Sequence, residues 1–310
     1  MNSVFVNSLR LSALTAVTFA ALSAQAADMY APKVSMKDMP VPEFSWSGFY
    51  LGVNSGYGWG ASHSTVYSTA TDETNLTGGL PTTTANTASL WTQGGFGGGQ
   101  LGYNVQRDRF VFGVETDIQA SAIKGAAMAE AIVLPPSGTF GSGVVNEALT
   151  KSNLDWFGTV RGRLGYSLGN TLFFGNTLVY ATGGFAYGGV KDSLLAELTS
   201  TNVISSTTTP GGVPVNWDSQ NKNLTGWVVG GGVEVALSPS WSAKAEYQYI
   251  DLGSTNLTAP TSLTYTGGGG APVALTDSGT ANVKIDHTYN TVRLGLNYRI
   301  NQAPEPLPLK

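Results

Sequence analysis

Residues 225–252 read TGWVVGGGVEVALSPSWSAKAEYQYIDL, and this stretch decides the fold of the chain. Up to Leu237, and again from Trp241, one set of alternate positions is apolar and the other is mostly polar or glycine. Side chains on a β-strand point alternately to its two faces, so each segment is predicted to be a strand with one apolar face. Ser238, Pro239 and Ser240 lie between the segments and predict a tight reversal. The stretch therefore predicts an antiparallel hairpin.

The length of this hairpin indicates a membrane. Each arm has roughly the 9–11 residues that a tilted strand needs to cross a bilayer. Aromatic residues lie toward the ends of the apolar face, at Trp227, Trp241 and Tyr249. Strands of membrane barrels carry aromatic residues where the lipid meets water. We interpret the hairpin as one quarter of a membrane β-barrel.

The composition argues against several other classes of protein. The chain has 310 residues, 12% of them charged and none of them cysteine, so neither disulfides nor thiol-attached lipids can form. The net charge is −4 and the basic residues are scattered, which argues against a nucleic-acid partner. Beyond residue 30, no apolar run reaches the ~18 residues that a membrane helix requires.

The N-terminus has the features of a secretory signal peptide. Arg10 supplies the positive region and residues 11–22 supply the apolar region. Ala24 and Ala26 are the small residues that precede a cleavage site, so we expect cleavage between Ala26 and Ala27. The alternative, a short hydrophobic anchor that is retained, is less consistent with the small residues at this site.

The rest of the chain is predicted to have three parts. Residues 27–44 contain three prolines and are interpreted as an extended periplasmic lead-in. Residues 45–300 are predicted to form the barrel. Residues 301–310 contain three more prolines, which cannot continue a strand ladder, and are predicted to form a periplasmic tail.

Six further segments alternate like the two arms of the hairpin and bring the predicted strands to eight. They are residues 49–60, 93–105, 110–119, 154–166, 178–190 and 287–300. The connections alternate strictly between long and short. The long ones are residues 61–92, 120–153, 191–223 and 253–286. Within the last of these, residues 262–266 and 281–285 also alternate, so the last two strands are expected to extend beyond the membrane.

Short periplasmic turns and long outer loops are typical of outer-membrane barrels. We therefore predict an all-β fold, an eight-stranded antiparallel up-and-down transmembrane β-barrel with four long extracellular loops and both chain ends in the periplasm. An even strand number closes the sheet and removes the unpaired edges that lipid does not tolerate. A soluble β-sandwich would also show alternation. The signal peptide, the strand length and the separation of aromatic residues from charges favour the membrane barrel.

Several segments resemble a known family. The resemblance lies in WSGFYLGVNSGYGWG (46–60), FVFGVETD (110–117), LDWFGTVRGRLGY (154–166), YATGGFAYG (180–188), EYQYIDLG (246–253) and NTVRLGLNYRI (290–300). In this order they resemble the RopB-type outer-membrane proteins of alphaproteobacteria, within the OmpA-like group of small barrels. The resemblance implies a porin-family surface protein in the outer membrane of a Gram-negative bacterium, with no characterised activity. Such proteins typically end on an aromatic residue, whereas this chain continues past Ile300 with NQAPEPLPLK.

Four acidic and four basic residues fall on the polar faces of the predicted strands. They are Glu115, Asp117, Glu234, Glu246, Arg161, Arg163, Lys244 and Arg293. Because unpaired buried charges are very costly, we expect these residues to pair inside the barrel. An eight-stranded barrel is just wide enough for side chains to fill, so we favour a structural plug over a gated ion path. No nucleophile or metal-ligand set accompanies the carboxylates, so we predict no enzyme activity.

Two histidines, His63 and His287, are the only ones in the chain. Some relatives are described as haem binders, and a histidine pair can ligate haem iron. We expect both histidines to be exposed loop residues at the outer ends of strands, and we predict no cofactor and no metal. Three functions remain open: a structural surface protein, which we favour, a narrow porin-like diffusion channel, and a haem or ligand receptor.

The last strand must pair with the first to close the barrel, and relatives use its final aromatic residue as an assembly signal. Here we expect an internal signal on its apolar face, at Val292, Leu294, Leu296 and Tyr298. The expected partners are outer-membrane lipid, lipopolysaccharide, the barrel-assembly machinery and unknown extracellular molecules. We expect a monomeric barrel.

Overall fold

The computed structural model describes residues 44–60, 64–72, 82–133, 142–171, 175–202, 215–267 and 273–300. These residues lie almost entirely in ten β-strands. The strands are β1 (Gly48–Trp59), β2 (Ser64–Asp72), β3 (Thr82–Leu90), β4 (Gln93–Arg107), β5 (Phe110–Val133), β6 (Ser142–Thr171), β7 (Gly175–Asn202), β8 (Val215–Ala236), β9 (Trp241–Gly267) and β10 (Val273–Arg299). Within this part of the chain, no helix is long and apolar enough to cross a membrane. The predicted signal peptide and tail lie outside the described residues.

The strands form one antiparallel sheet that closes into a ring. β4 to β10 pair in sequence order, while β1 pairs with β4 on one side and with β10 on the other. Each of the ring strands β1 and β4–β10 overlaps one of the predicted strands, and the prediction of an all-β transmembrane barrel is confirmed. β2 and β3 are two additional strands, which pair with each other and with β10.

The two faces of the ring are inverted relative to a soluble protein. Outward-pointing apolar side chains such as Val53, Val114 and Leu294 are more than 60% exposed. A continuous exposed apolar surface of this kind marks contact with lipid. The polar members of the same alternation point inward, where they are buried. The sequence period of two therefore separates lipid from lumen.

Aromatic pairs border the apolar band on both sides. At the turn-side edge, the ring centroids of Phe49 and Tyr103, Phe110 and Tyr166, and Trp241 and Tyr298 are 4.5, 5.4 and 5.1 Å apart. At the outer edge, Trp156 lies 6.0 Å from Tyr187, and Trp227 lies 5.4 Å from Tyr249. We call the second set the outer girdle. Along β1 the edges are ten residues apart, from Phe49 to Trp59, which spans about 25 Å for a tilted strand and matches the apolar band of known barrels.

Val233 lies near the middle of this band, between Val179 and Ala245 on the neighbouring strands. We expect Val233→Arg to lower the free energy of unfolding by about 2–4 kcal/mol, because it places a charge at the bilayer midplane. Urea titration of the refolded protein in lipid vesicles measures this. Val215→Arg, on the same strand but beyond the outer girdle, is the matched control and should change little. Equal effects at the two positions would contradict the assigned membrane band.

The predicted long connections are largely strand, which corrects the expectation of four long loops. β5 continues to Val133, β7 to Asn202 and β9 to Gly267, all well beyond the outer girdle. Each predicted strand ended at the residue where its outward face ceases to be uniformly apolar. Outside the membrane the outer face meets water and is no longer uniformly apolar, since it carries Glu130 and Glu147 as well as Met128 and Trp217.

We call the part of the sheet beyond the outer girdle the outer extension. It has an apolar interior of its own. The buried members are Leu90, Ala129, Ala148, Leu194, Ala196, Leu257, Ala259, Ala281, Val283 and Ile285. The extension is therefore a folded body with a core.

The hairpin of β2 and β3 completes the wall of this extension. β1 ends at Trp59 and β4 begins at Gln93, so neither reaches the extension. β2 pairs with β10 instead, and β3 is joined to β5 through side chains. Thr84 Oγ1 donates to the Ile132 carbonyl at 2.8 Å, and Asn86 Nδ2 donates to the Glu130 carbonyl at 3.0 Å. The hairpin thus occupies the place that β1 and β4 hold in the membrane.

Two bulges shift which residues point inward. On β6, Asp155 has no partner on β7 between the pairs of Leu154 and Trp156. On β9, Leu252 and Gly253 lie opposite the single residue His287, and Gly253 has a φ of 87°, which favours glycine. Each bulge marks the transition from the membrane part of its strand to the outer extension.

Candidate functional site

All eight charged residues of the predicted set point into the lumen, and none is more than 5% exposed. Strand register pairs them by opposite charge. Directly opposite partners on neighbouring strands are Glu115 and Arg161, Glu234 and Lys244, and Glu246 and Arg293. Opposite charges at such positions stabilise a sheet. These three pairs, together with Asp117 and Arg163, form one layer of charges across the lumen.

Arg161 lies at the centre of this charged layer. Its Nη2 bonds a Glu115 oxygen and lies 3.0 Å from Asp117 Oδ2, while its Nη1 donates to Glu246 Oε1 at 2.6 Å. Three carboxylates from β5 and β9 thus share one guanidinium. The planar fork of arginine suits such multiple contacts.

Arg293 and Lys244 connect the same carboxylates from the other side. Arg293 donates to Asp117 Oδ2 at 3.0 Å and to Glu246 Oε1 at 2.6 Å. Lys244 Nζ donates to both oxygens of Glu115, at 2.8 and 2.9 Å. Every described contact of these cations therefore reinforces a carboxylate that already has another cationic partner.

Arg163 extends the layer toward the turn side. It donates to Glu234 Oε2 at 2.7 Å and to the Tyr50 hydroxyl at 2.7 Å. The Tyr50 hydroxyl in turn donates to Glu115 at 2.7 Å. The guanidinium also lies 3.9 Å from the ring centroid of Tyr180, a cation–π distance. Two tyrosines that the sequence analysis assigned no role therefore belong to the site.

Glycines make room for these tyrosines. A Cβ built on Gly102 would collide with the ring of Tyr50, and one built on Gly232 would collide with Tyr180. Both glycines lie on inward positions next to the rings. The high glycine content of the barrel is thus explained here by large side chains that cross the lumen.

A separate aromatic cluster fills the turn-side end of the lumen. Trp46 is 1% exposed, and the guanidinium of Arg299 lies 4.1 Å from the ring centroid of Phe44 and 5.2 Å from that of Trp46. Arg299 also donates to the carbonyls of Ser45 and Pro239, at 2.7 and 2.9 Å. We call this cluster the base plug. The sequence does not single out this cluster, although Trp46 precedes the first strand and Arg299 ends the last.

An apolar layer lies on the outer side of the charges. Its buried members are Phe96, Ile123, Leu154, Phe157, Ala186, Val190, Val228, Ile250, Leu252 and Tyr289. Phe96 and Phe157 pack edge to face with ring centroids 5.2 Å apart. Phe157 is an aromatic residue on the inward face of β6, which it shares with Thr159 and Arg161. Its position is explained by this layer.

The expectation that His287 is an exposed loop residue is wrong. The inward alternation of β10 continues unbroken past the membrane, so His287 points inward and is 1% exposed. Its Nε2 lies 3.1 Å from Asp192 Oδ2 and 3.0 Å from Thr255 Oγ1, and its Nδ1 lies 3.2 Å from the Tyr289 hydroxyl. Burial acts to raise the pKa of the Asp192 carboxyl, but hydrogen bonds, that with His287 foremost, hold this pKa below its ordinary value.

His63 lies outside the described residues. Among the described residues, no group of three or more histidine, aspartate or glutamate side chains is arranged to hold a metal ion. Both nitrogens of His287 face oxygen partners inside the wall. The observed surroundings of His287 are those of a satisfied core histidine.

A bulge turns one polar residue of β6 outward. Alternation from Thr159 and Arg161 would place Asp155 on the inner face, but it is the bulged residue of β6 and points outward. Its carboxylate lies 2.6 Å from Lys191 Nζ on the outer surface. A period of two cannot reveal where one residue is inserted into a strand.

The four residues of the expected assembly signal lie on the outward face of β10. The exposed ones form a continuous apolar stripe of Val292, Leu294, Leu296 and Tyr298. Leu296 lies opposite Val53 of β1, and Tyr298 lies opposite Trp241 of β9. The stripe therefore lies on the lipid-facing side of the strand that closes the ring between β9 and β1.

The chain is similar to several known proteins. A family model described as an outer membrane protein beta-barrel domain matches residues 12–299. A 31 kDa outer-membrane immunogenic protein of Brucella melitensis is 35% identical over 283 residues, which cover 90% of this chain and 94% of the relative. A 22 kDa outer membrane protein of Rhizobium leguminosarum is 28% identical over 220 residues, 70% of each chain. The outer membrane protein OprG from Pseudomonas aeruginosa matches with a TM-score of 0.34 at 12% identity, over 82% of this chain and 97% of that one.

Proposed function

Because this chain belongs to the outer-membrane protein β-barrel family, we propose that it is a structural surface protein with a plugged lumen. In this proposal the barrel anchors the outer extension in the outer membrane, and the extension presents a folded surface to the medium. The observation that carries the proposal is the filling of the lumen by three successive layers. No step of this function requires a catalytic group or a cofactor.

The charged layer supports the proposal because its charges balance. Four carboxylates face four cationic side chains, so the layer has no net charge to attract one sign of ion. An ion that passed through would have to displace contacts as short as 2.6–2.8 Å, such as those of Glu246 with Arg161 and Glu115 with Lys244. Breaking buried ion pairs without replacing them is strongly unfavourable.

The layers on either side support it further. The base plug closes the periplasmic end with Trp46 and Arg299, and the apolar layer around Phe96 and Phe157 lies on the outer side. A water-filled path would need polar groups through both. The alternative of a narrow diffusion channel would therefore require rearrangement of the base plug and of the apolar layer together.

We expect the refolded protein to produce no stable conductance steps in planar bilayers, because side chains fill the lumen. A wide porin in the same bilayers is the positive control for detection. Migration of unboiled and boiled samples on a gel verifies that the inserted protein is folded, since closed barrels resist detergent. Lasting conductance steps whose size changes in Glu115→Gln would contradict the plug and favour the channel.

A further inference from the structure

A row of apolar side chains crosses the outward face of one wall of the outer extension. In β5 to β8, strand register places four outward side chains directly opposite one another: Met128, Leu149, Leu195 and Trp217. Met128 and Trp217 are 60% and 70% exposed, and Leu195 is exposed as well. We call these four residues the outer apolar row. It crosses four strands that are spaced about 4.8 Å apart, so it is about 14 Å long.

Membrane lipid does not account for this row. Leu195 is eight residues beyond Tyr187 of the outer girdle, which is about 20 Å along the membrane normal for a tilted strand. The headgroup region on one side of a bilayer is only about 5–8 Å thick. The outer apolar row therefore faces the medium, where a contiguous exposed apolar patch marks an interaction site.

An acidic row runs beside the outer apolar row, two residues farther from the membrane on β5, β6 and β7. Glu130 lies opposite Glu147, and Glu147 lies opposite Glu197. Like charges directly opposite one another are unfavourable in a sheet. None of the ion pairs that the structure describes includes one of these three carboxylates. Apolar area and uncompensated negative charge thus lie side by side on this wall.

The opposite wall of the extension, formed by β9, β10, β2 and β3, has a different outward face. Its outward positions are polar where β9 meets β10, for example Asn256 opposite Lys284 and Thr258 opposite Asn282. Within the extension, Tyr67 is the one large apolar side chain exposed among the described residues of these strands. The outer apolar row is therefore a property of the β5–β8 wall and not of the extension as a whole.

The two walls lie close together. Asn146 of β6 donates from Nδ2 to the Ser68 hydroxyl at 3.0 Å and to the Thr69 carbonyl at 2.9 Å, both on β2. One side chain of the first wall thus reaches the backbone of the second, so the extension is flattened between them. A flattened wall allows one ligand to contact several of its strands at once.

Two occupants from the chain itself do not fit this face. The connections between its strands, residues 134–141 and 203–214, contain no lysine or arginine that could neutralise the acidic row. A second copy in the same membrane would stand at the same height, so its acidic row would meet the acidic row of the first copy. The face therefore fits a partner that carries apolar and basic side chains together.

We propose that this face of the outer extension binds a basic, amphipathic segment of an extracellular polypeptide. Apolar side chains of the segment cover Met128 and Trp217, residue types that are enriched at interfaces. Its lysines or arginines contact Glu130, Glu147 and Glu197. A helix that lies across the strands advances about 5.4 Å per turn, close to the strand spacing of about 4.8 Å, so each turn can present one apolar and one basic side chain to each strand.

The inference rests on the proposed function, in which the extension presents a folded surface, and it names the class of partner. Peptide binding tests the face of the extension, whereas bilayer conductance tests the plugged lumen. A barrel that conducts and also binds the peptide would refute the plug and leave this inference intact. A silent barrel that does not bind would do the reverse.

The test uses the full mature protein in nanodiscs of zwitterionic phosphatidylcholine. The probe is a fluorescently labelled helical peptide of about 12 residues, long enough to span the row, with leucines along one side and lysines beside them. Fluorescence anisotropy measures binding, and empty nanodiscs are the blank. We expect Leu195→Ser/Trp217→Ser to bind the peptide about 30-fold more weakly and Glu147→Gln/Glu197→Gln about 10-fold more weakly.

Tyr67→Ser removes an exposed aromatic side chain from the opposite wall and should bind like the unmodified protein. A peptide with glutamate in place of lysine should not bind. Binding to the unmodified protein that does not exceed the blank would overturn the proposal, and so would an equal loss in Tyr67→Ser. Full binding by Leu195→Ser/Trp217→Ser would also overturn it, since charge alone would then hold the peptide.

A second copy is tested by sedimentation of the unmodified protein without peptide. A dimer that Leu195→Ser/Trp217→Ser dissociates would assign the face to self-association and overturn the proposal. Heat-dependent gel migration must be the same in all variants, so that lost binding reports the surface and not the fold.

Discussion

Arg161→Met is expected to lower the free energy of unfolding by about 3–5 kcal/mol, because it leaves buried carboxylates without their shared cation. Glu115, Asp117 and Glu246 all contact this guanidinium, and all are buried. The remaining layer would carry four acidic and three basic groups. Urea titration in lipid vesicles, followed by tryptophan fluorescence, measures the loss.

A double-mutant cycle that combines Arg161→Met with Glu115→Gln tests whether the two residues belong to one network. Glu115→Gln alone leaves an excess of positive charge, whereas Glu115→Gln with Arg161→Met restores three acids to three bases. We therefore expect the double variant to be more stable than the less stable single variant, with a coupling of about 1–3 kcal/mol. Simple addition of the two single losses would show that the residues are not one network.

The exposed ion pair of Asp155 and Lys191 is a control within the same protein. Its two atoms are 2.6 Å apart, but its side chains are 41% and 58% exposed. Exposed pairs contribute about 0–1 kcal/mol because water and salt screen them. The cycle of Asp155→Asn and Lys191→Met should therefore give a coupling below about 1 kcal/mol. The difference between the two cycles isolates the effect of burial in the lumen.

The membrane part of the barrel could be predicted from sequence because lipid and lumen impose opposite demands. Val114, Ile118 and Val160 must face lipid, so Glu115 and Arg161, one residue away, must face inward. The contrast between the two faces is large, and a period of two resolves it residue by residue. The glycine-rich first half of β4 is the exception, because glycine has no side chain to mark a face.

The outer extension could not be predicted in the same way because water lies outside it. Its inward residues include many alanines, such as Ala129 and Ala148, and their outward neighbours mix the apolar Met128 and Leu149 with Glu130 and Glu147, so polarity does not mark either face. The bulges at Asp155 and at Leu252–Gly253 also shift the inward set by one residue. The hairpin of β2 and β3 is rich in threonine and lacks an apolar face that would distinguish it from a loop.

The burial of His287 could not be predicted for a related reason. Its strand was expected to begin at residue 287, where the apolar outer face begins, so the residue was assigned to a strand end. Inward residues Ile285 and Val283 continue the alternation beyond it. The alternation of residues 281–285 predicted an extension of the strand. Whether this segment continues without a break into residues 287–300 depends on the pairing register with β9, which the sequence does not supply.

The closing strand is the site of the second large effect. Leu296→Ser with Tyr298→Ser should prevent assembly into the outer membrane, so that the protein stays in the periplasm and is degraded. β10 pairs with both β9 and β1, and its last turn-side bonds run from Arg299 N to the Ser240 carbonyl and from Ile300 N to the Phe49 carbonyl, at 2.7 and 2.9 Å. Serine at both positions removes the apolar contact of this seam with lipid and with Trp241.

Leu195→Ser with Trp217→Ser is the matched control, because these two outward residues lie opposite each other in the outer extension. The chemical change is similar, but the site is outside the lipid, so this variant should assemble. Deletion of residues 301–310, which lie outside the described residues, should also leave assembly intact if the signal is internal. Membrane fractionation and heat-dependent gel migration measure the outcome for each variant. Loss of the truncated protein together with normal assembly of the Leu296→Ser/Tyr298→Ser protein would place the signal in the tail and refute the internal one.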